Sequence, residues 1–287
     1  MNRDVWNWVK RNIGEIVICD ESIEHIDDKS AKLGKLYIYS LHKTEGEDEA
    51  LDGEEDDIAA CTTWMMPHRD FHGVWESLHY DHAVKNDLLE YCKSAMFFSA
   101  KGVDQKIVNW NKVILLHGPP GTGKTSLAQA LAHKMSIRYS PPYRTAVLLE
   151  INSHSLFSKY FSESGKLVQK MFSKIRDYVD DKNVFCCIII DEVESLTAAR
   201  SQSTSEPSDA VRVVNAVLTQ LDRLKSYPNV LVLTTSNVTG RIDVAFVDRA
   251  DMKVFIGPPG PSAIYAILQS AAAEMHRKDV ITGPLTL

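Results

Sequence analysis

Gly118-Pro119-Pro120-Gly121-Thr122-Gly123-Lys124-Thr125 follows the spacing G-x-x-x-x-G-K-[ST], a pattern built to hold a polyphosphate. Glycines at 118, 121 and 123 let backbone N–H groups turn inward with no Cβ in the way. A helix read over 126–135, leaving the loop at Ser126, would add free donors and a positive dipole end. Lys124 would reach the β- and γ-phosphates, and the Thr125 hydroxyl would hold Mg2+. A nucleotide is the expected ligand.

A second pair of reactive groups closes the apolar run 185–190: Asp191 and Glu192. In that position Asp191 would hold Mg2+, directly or through water, while Glu192 would orient and polarise an attacking water. The run LVLTTSN, residues 231–237, ends in Asn237. Its amide could touch the γ-phosphate or the attacking water, although an Asn at a strand end also commonly caps a turn.

These groups need a scaffold that brings strand ends together. Runs at 113–117, 146–151, 185–190, 230–235 and 253–256 read as strands, and several of them are continuous apolar stretches over most of their length. Continuous runs are expected where helices cover both faces of a parallel sheet. Helical patterns lie between them at 81–97, 165–179 and 210–225. Val211, Val214, Val217, Leu218 and Leu221 show the spacing in the last of these. Residues 33–41 could form a further strand. The alternation of strand and helix predicts an α/β fold.

Composition narrows the classes. The 287 residues are 44% hydrophobic and 24% charged, ordinary for a globular chain. Net charge is −6, but residues 45–57 hold nine acidic residues and no Lys or Arg, which leaves the remainder near balance. That acidic run reads as a solvated, disordered loop. No basic stripe is present, so direct DNA binding is not expected. The longest apolar stretch, 184–190, is too short for a membrane span, and the N-terminus lacks the apolar core of a signal peptide. Five cysteines lie without metal spacing, with Cys186 and Cys187 inside a predicted core strand, which points to a reducing compartment.

The set GPPGTGKT, IIIDE, TTSN and IDVAFVDRAD (242–251) resembles an AAA+ ATPase. Longer stretches resemble the pachytene checkpoint protein 2 family of HORMA-domain remodellers: FHGVWESLHYD (71–81), INSHSLFSKYFSESGK (151–166), DEVESLTAAR (191–200) and EPSDAVRVVNAVLTQ (206–220). The likeness runs over residues 62–275. It implies a P-loop AAA+ domain with a five-stranded parallel sheet between helices, preceded by a small partial α+β region. It implies ATP and Mg2+ as cofactors, with self-association into a ring, by expectation a hexamer. The expected partners are HORMA-domain proteins, reached through an adaptor, in meiosis and the spindle checkpoint. The expected location is nucleus and cytoplasm.

The resemblance also assigns residues. Asn237 is the sensor that contacts the γ-phosphate, and Arg249 stands where an arginine finger would complete the site of a neighbouring subunit. Members of the wider superfamily carry two arginines in this region, and this chain has Arg249 alone. Tyr160 and Phe161 fall on the loop that lines the ring's pore, with Tyr160 gripping an extended peptide and Phe161 buried. Leu78 and Tyr80 lie in the segment that covers the adenine.

The expected domains are 1–68, a partial substrate- or adaptor-recognition region with the acidic loop 45–57; 69–257, the large ATPase subdomain; and 258–287, the start of a helical lid. The lid and the N-terminal region both read as shortened against the family. A different class of function therefore stays open, a truncated, non-catalytic module that binds nucleotide or other subunits.

Overall fold

The computed structural model describes residues 37–50, 59–105, 107–108, 110, 112–140, 142–153, 164–195, 207–237 and 244–282. The chain divides into two units, residues 1–38 and 39–287, and every element below belongs to the second. The strands are β1 (Glu47–Ala50), β2 (Ala59–Met66), β3 (Val113–His117), β4 (Thr145–Asn152), β5 (Val184–Asp191), β6 (Val230–Ser236) and β7 (Met252–Phe255). The helices are α1 (Val74–Ser77), α2 (Val84–Lys101), α3 (Lys124–Arg138), α4 (Ser164–Val179), α5 (Pro207–Leu224), α6 (Val244–Arg249) and α7 (Pro261–Arg277). A short 3-10 turn, Arg69–Phe71, precedes α1. Among the described residues, no helix is long and apolar enough to cross a membrane.

All seven strands form one sheet in the order β1-β2-β4-β5-β6-β3-β7. The five strands from β3 onward are mutually parallel, as the apolar runs predict. Side chains alternate across a strand, so β5 serves two cores at once. Cys186, Ile188 and Ile190 face the helices that supply Val168, Phe172, Ile175, Val217 and Leu221. Phe185, Cys187 and Ile189 face the opposite layer, with Leu88, Met96, Leu127, Leu131 and Met135. Both faces are covered, and both tolerate only apolar residues.

The sheet is wider than the sequence reading expected. β1 and β2 extend it beyond five strands, β2 pairing antiparallel with β4 and β1 antiparallel with β2. The two strands come from the region assigned to residues 1–68, so that region contributes to the ATPase sheet itself. The acidic run is correspondingly not all loop, since residues 47–50 are the edge strand β1. Pairing with β2 satisfies the backbone groups on its inner side, Thr62 Oγ1 donates to Asp48 Oδ1 at 2.8 Å, and acidic side chains protect the open edge. Residues 51–57 of the run lie outside the described residues. The strand expected at 33–41 is not formed over 37–41. There the chain makes an isolated bridge from His42 to His68, and His68 Nε2 lies 2.7 Å from the Thr44 carbonyl.

At the amino end of β3, Lys112 is buried, a cost that its contacts only partly offset. Its ammonium donates to the Tyr227 carbonyl and to Ser99 Oγ, and it sits 5.5 Å from the Trp110 ring centre. Burial pulls its pKa down to about 8. The folded pKa lies below the unfolded value, so the unfolded chain holds the proton to higher pH and stability rises as pH climbs from about 8. Relative to Lys112→Met, the native chain should gain about 2 kcal/mol between pH 7 and 9.5 in urea unfolding. A pH-independent difference would contradict this.

Candidate nucleotide site

The strand order β5-β6-β3 sets three carboxyl ends side by side, and these deliver the reactive groups. β3 leads into the glycine loop, β5 ends on Asp191, and β6 leads to Asn237. Gly118 is fixed by a close approach, since a Cβ there would lie 2.0 Å from the Ile256 carbonyl oxygen. Gly123 adopts φ 82° and opens α3 without a side-chain cap, so the first-turn amides of Lys124, Thr125 and Ser126 stay open to an anion. The Thr122 hydroxyl donates to the Pro119 carbonyl at 3.0 Å and braces the loop around Pro120 and Gly121.

Lys124 Nζ donates to the Pro119 carbonyl at 2.7 Å, which folds the ammonium over its own loop. Burial draws its pKa below the usual lysine range, opposed by the carboxylates of Glu194, Asp191 and Glu192. Thr125 Oγ1 donates to Asp191 Oδ1 at 3.0 Å, so the two oxygens expected to hold Mg2+ converge. Among the described residues, no group of three or more His, Cys, Asp or Glu could hold a metal by itself. One carboxylate and one hydroxyl suit Mg2+, which keeps several waters and takes its other ligands from phosphate. The residues present fit a Mg2+–nucleotide.

Glu192 has φ 54°, a left-handed backbone that costs a non-glycine residue about 1–3 kcal/mol. The conformation is held by Thr235, whose hydroxyl accepts from the Glu192 N–H at 3.1 Å and donates to Asp191 Oδ1. Val193 N–H donates to the Thr235 carbonyl at 3.0 Å. This turn aims the exposed Glu192 carboxylate toward Asn237, whose Nδ2 donates to Oε1 at 3.2 Å. Asn237 is itself fixed, its N–H donating to Glu194 Oε1 at 2.9 Å.

Leu78 and Tyr80 approach the loop from the other side. A Cβ on Gly123 would lie 3.4 Å from both Leu78 Cδ2 and Tyr80 Oη. The Tyr80 hydroxyl is buried with no hydrogen-bond partner among the described residues, and burial pushes its pKa up to about 12. A buried donor without a partner beside an open phosphate loop is what a bound nucleotide would satisfy.

The structure thus gathers Lys124, Thr125, Asp191, Glu192 and Asn237 into one site, with Leu78 and Tyr80 against Gly123. Arg249 stands apart. Its guanidinium grips Asp222 of α5 through Nε at 3.0 and 3.1 Å and a second nitrogen at 2.9 Å. Asp222 offers the guanidinium a bidentate fit from the neighbouring helix. Tyr160 and Phe161 lie outside the described residues. Sequence reasoning missed three supports, Thr235, Glu194 and Ser153, whose hydroxyl donates to the Asp191 carbonyl at 2.7 Å. Thr235 was visible in the TTSN run, but its role depends on β5 and β6 being neighbours.

Residues 114–258 match the family described as "ATPase family associated with various cellular activities (AAA)", a span that holds the glycine loop, Asp191, Glu192, Asn237 and Arg249. The chain belongs to the AAA family. Within the family it is 52% identical over 281 residues to the pachytene checkpoint protein 2 homolog of Xenopus tropicalis, and 51% identical over 280 residues to that of Homo sapiens. Each match takes in 96% of this chain and 65% of the relative, so the AAA chain spans about two-thirds of their length. Its fold is similar to C. elegans PCH-2, with a TM-score of 0.75 and 43% identity over 88% of this chain and 60% of that one. It also shares the fold of a chain in an E. coli HORMA:CdnC:Trip13 complex, TM-score 0.58, at 17% identity over 72% of this chain and 73% of that one.

Proposed function

We propose that this chain binds and hydrolyses ATP and uses that cycle, within a ring of like subunits, to remodel HORMA-domain proteins. The carrying observation is the Thr125–Asp191–Thr235 contact beside Glu192 and Asn237, all at the mouth of the glycine loop. The loop amides and Lys124 hold the phosphates of ATP, and Leu78 and Tyr80 close over its base. Thr125 and Asp191 would hold Mg2+, which would supply positive charge against the phosphates. Glu192 orients the attacking water and takes up its proton, and Asn237 keeps the carboxylate in place. Arg249 serves the site of the next subunit in the ring.

The HORMA-domain partner, the adaptor, the hexamer, the meiotic and checkpoint roles and the nuclear and cytoplasmic location rest on the resemblance to the pachytene checkpoint protein 2 homologs. In that reading residues 258–287 begin a lid, and Tyr160 grips substrate in the pore with Phe161 behind it. Conversion of a purified HORMA-domain protein by this chain, with ATP and Mg2+, tests it. Tyr160→Ala should lower the conversion rate at least about tenfold while ATP hydrolysis persists, as loss of an aromatic grip of about 1.4 kcal/mol implies. Normal conversion by Tyr160→Ala would remove the pore-loop role. A second reading, a non-catalytic subunit-binding module, is favoured by the exposed Ile264, Tyr265 and Leu268 of α7. Sustained ATP turnover by this chain would eliminate it.

A further inference from the structure

The nucleotide mouth is encircled by a closed chain of contacts whose last link is a carboxylate the reaction does not use. Gly118 touches Ile256 so closely that no Cβ fits between them, and the Ile256 N–H donates to the His117 carbonyl at 2.8 Å. From Ile256 the chain runs through Gly257-Pro258-Pro259-Gly260 into α7. On the other side, Leu78 and Tyr80 lie beside Gly123, where an added Cβ would be 3.4 Å from each, and Asp81 follows immediately. Asp81 closes the circuit. Its Oδ2 accepts from the Gly260 N–H at 2.5 Å and its Oδ1 from the Ala263 N–H at 3.2 Å.

These two bonds matter because α7 has little else at its start to fix it. Gly260, its N-cap, offers no side-chain cap, so Asp81 supplies the missing acceptor from 179 positions away. Its negative charge also meets the positive end of the helix dipole. The fit is close, as a Cβ on Gly260 would lie 2.7 Å from Asp81 Oδ2. Ala263, in the same turn, is the buried residue of α7, whereas Ile264, Leu268 and Met275 are exposed. The direction of α7 is therefore set at its first turn.

We infer that Asp81 is a positioning residue that ties α7 to the segment covering the nucleotide, so that binding at Tyr80 and Gly123 and the placement of α7 are one coupled event. The inference rests on the nucleotide-binding reading above. A ligand seated on the glycine loop against Leu78 and Tyr80 holds Leu78–Asp81 still. Asp81 then holds the first turn of α7, and by reciprocity a fixed α7 favours the bound state.

The test is ADP binding by titration calorimetry, together with amide hydrogen exchange across residues 260–264, on the full chain and its variants. In the native chain ADP should slow exchange at Gly260 and Ala263. Asp81→Ala should raise the Kd for ADP about tenfold, within the usual range of coupling between sites, and should leave exchange at 260–264 fast and insensitive to ADP. Asp81→Asn keeps one carbonyl acceptor and should restore part of both effects, which a general loss of folding would not. It also serves as the readout if Asp81→Ala does not fold. Native affinity and native ADP response in Asp81→Ala, or in Asp81→Asn an unfolded chain, would overturn the inference. Lys124→Ala separates the two levels. If the native chain binds ADP no better than Lys124→Ala, the nucleotide reading fails and this inference falls with it. If Lys124→Ala alone loses ADP while Asp81→Ala binds and responds normally, only the Asp81 role is wrong.

Discussion

Glu192→Gln should lower steady-state ATP hydrolysis by about 10²–10⁴-fold, the usual cost of losing a positioned base, while its Kd for ATP stays close to native. Two features of the site make the prediction sharp. The substitution keeps a carbonyl oxygen where Asn237 Nδ2 donates, so the contact at 3.2 Å can persist and the turn held by Thr235 is undisturbed. Binding rests on other groups, the loop amides, Lys124 and the Thr125–Asp191 pair. What is removed is the ability to take a proton from water. The protein also tolerates a left-handed backbone at Glu192, which a purely structural residue at a strand end would not need. Near-native turnover in Glu192→Gln would strip this residue of its role.

Arg249→Ala should lower turnover by about 10³–10⁵-fold, provided the chain forms rings, because the guanidinium would stabilise charge on the phosphoryl group of the adjacent subunit. In the single chain it is clamped by Asp222, which also has Lys225 at 3.6 Å. A partly exposed pair of this kind contributes about 0–1 kcal/mol to stability. The rate loss expected corresponds to about 4–7 kcal/mol of barrier, so weaker folding could not imitate it. A mixing experiment decides where the residue acts. Subunits carrying Arg249→Ala retain Glu192, and subunits carrying Glu192→Gln retain Arg249, so a mixture of the two inactive variants should regain turnover. No recovery on mixing would place Arg249 outside any shared site.

Much of the site is legible in sequence because its parts are local. The glycine loop, the IIIDE strand and the TTSN strand each write their conformation within eight residues, and continuous apolar runs announce a sheet covered on both faces. What stayed hidden depends on contacts between distant positions. Residues 47–50 look like a disordered acidic tract, and only the open edge of β2, a neighbour in space, turns them into a strand. Arg249 has acidic residues on either side in sequence, yet it pairs with Asp222 on another helix, 27 positions back. Thr235 reads as one more β-branched strand residue until β5 lies beside β6 and puts Asp191 and the Glu192 N–H within its reach. Asp81 likewise reads as a helix-initiating acid for α2, whereas its carboxylate caps α7.

The central claim is that the groups gathered at the ends of β3, β5 and β6 form a working ATPase site. The most direct test is steady-state ATP hydrolysis by the purified 287-residue chain, with Mg2+, beside Lys124→Ala and beside the native chain with the metal chelated. The account predicts turnover in the native chain that disappears in both controls. A native chain without turnover, or one whose turnover survives loss of Lys124 or of Mg2+, would contradict it.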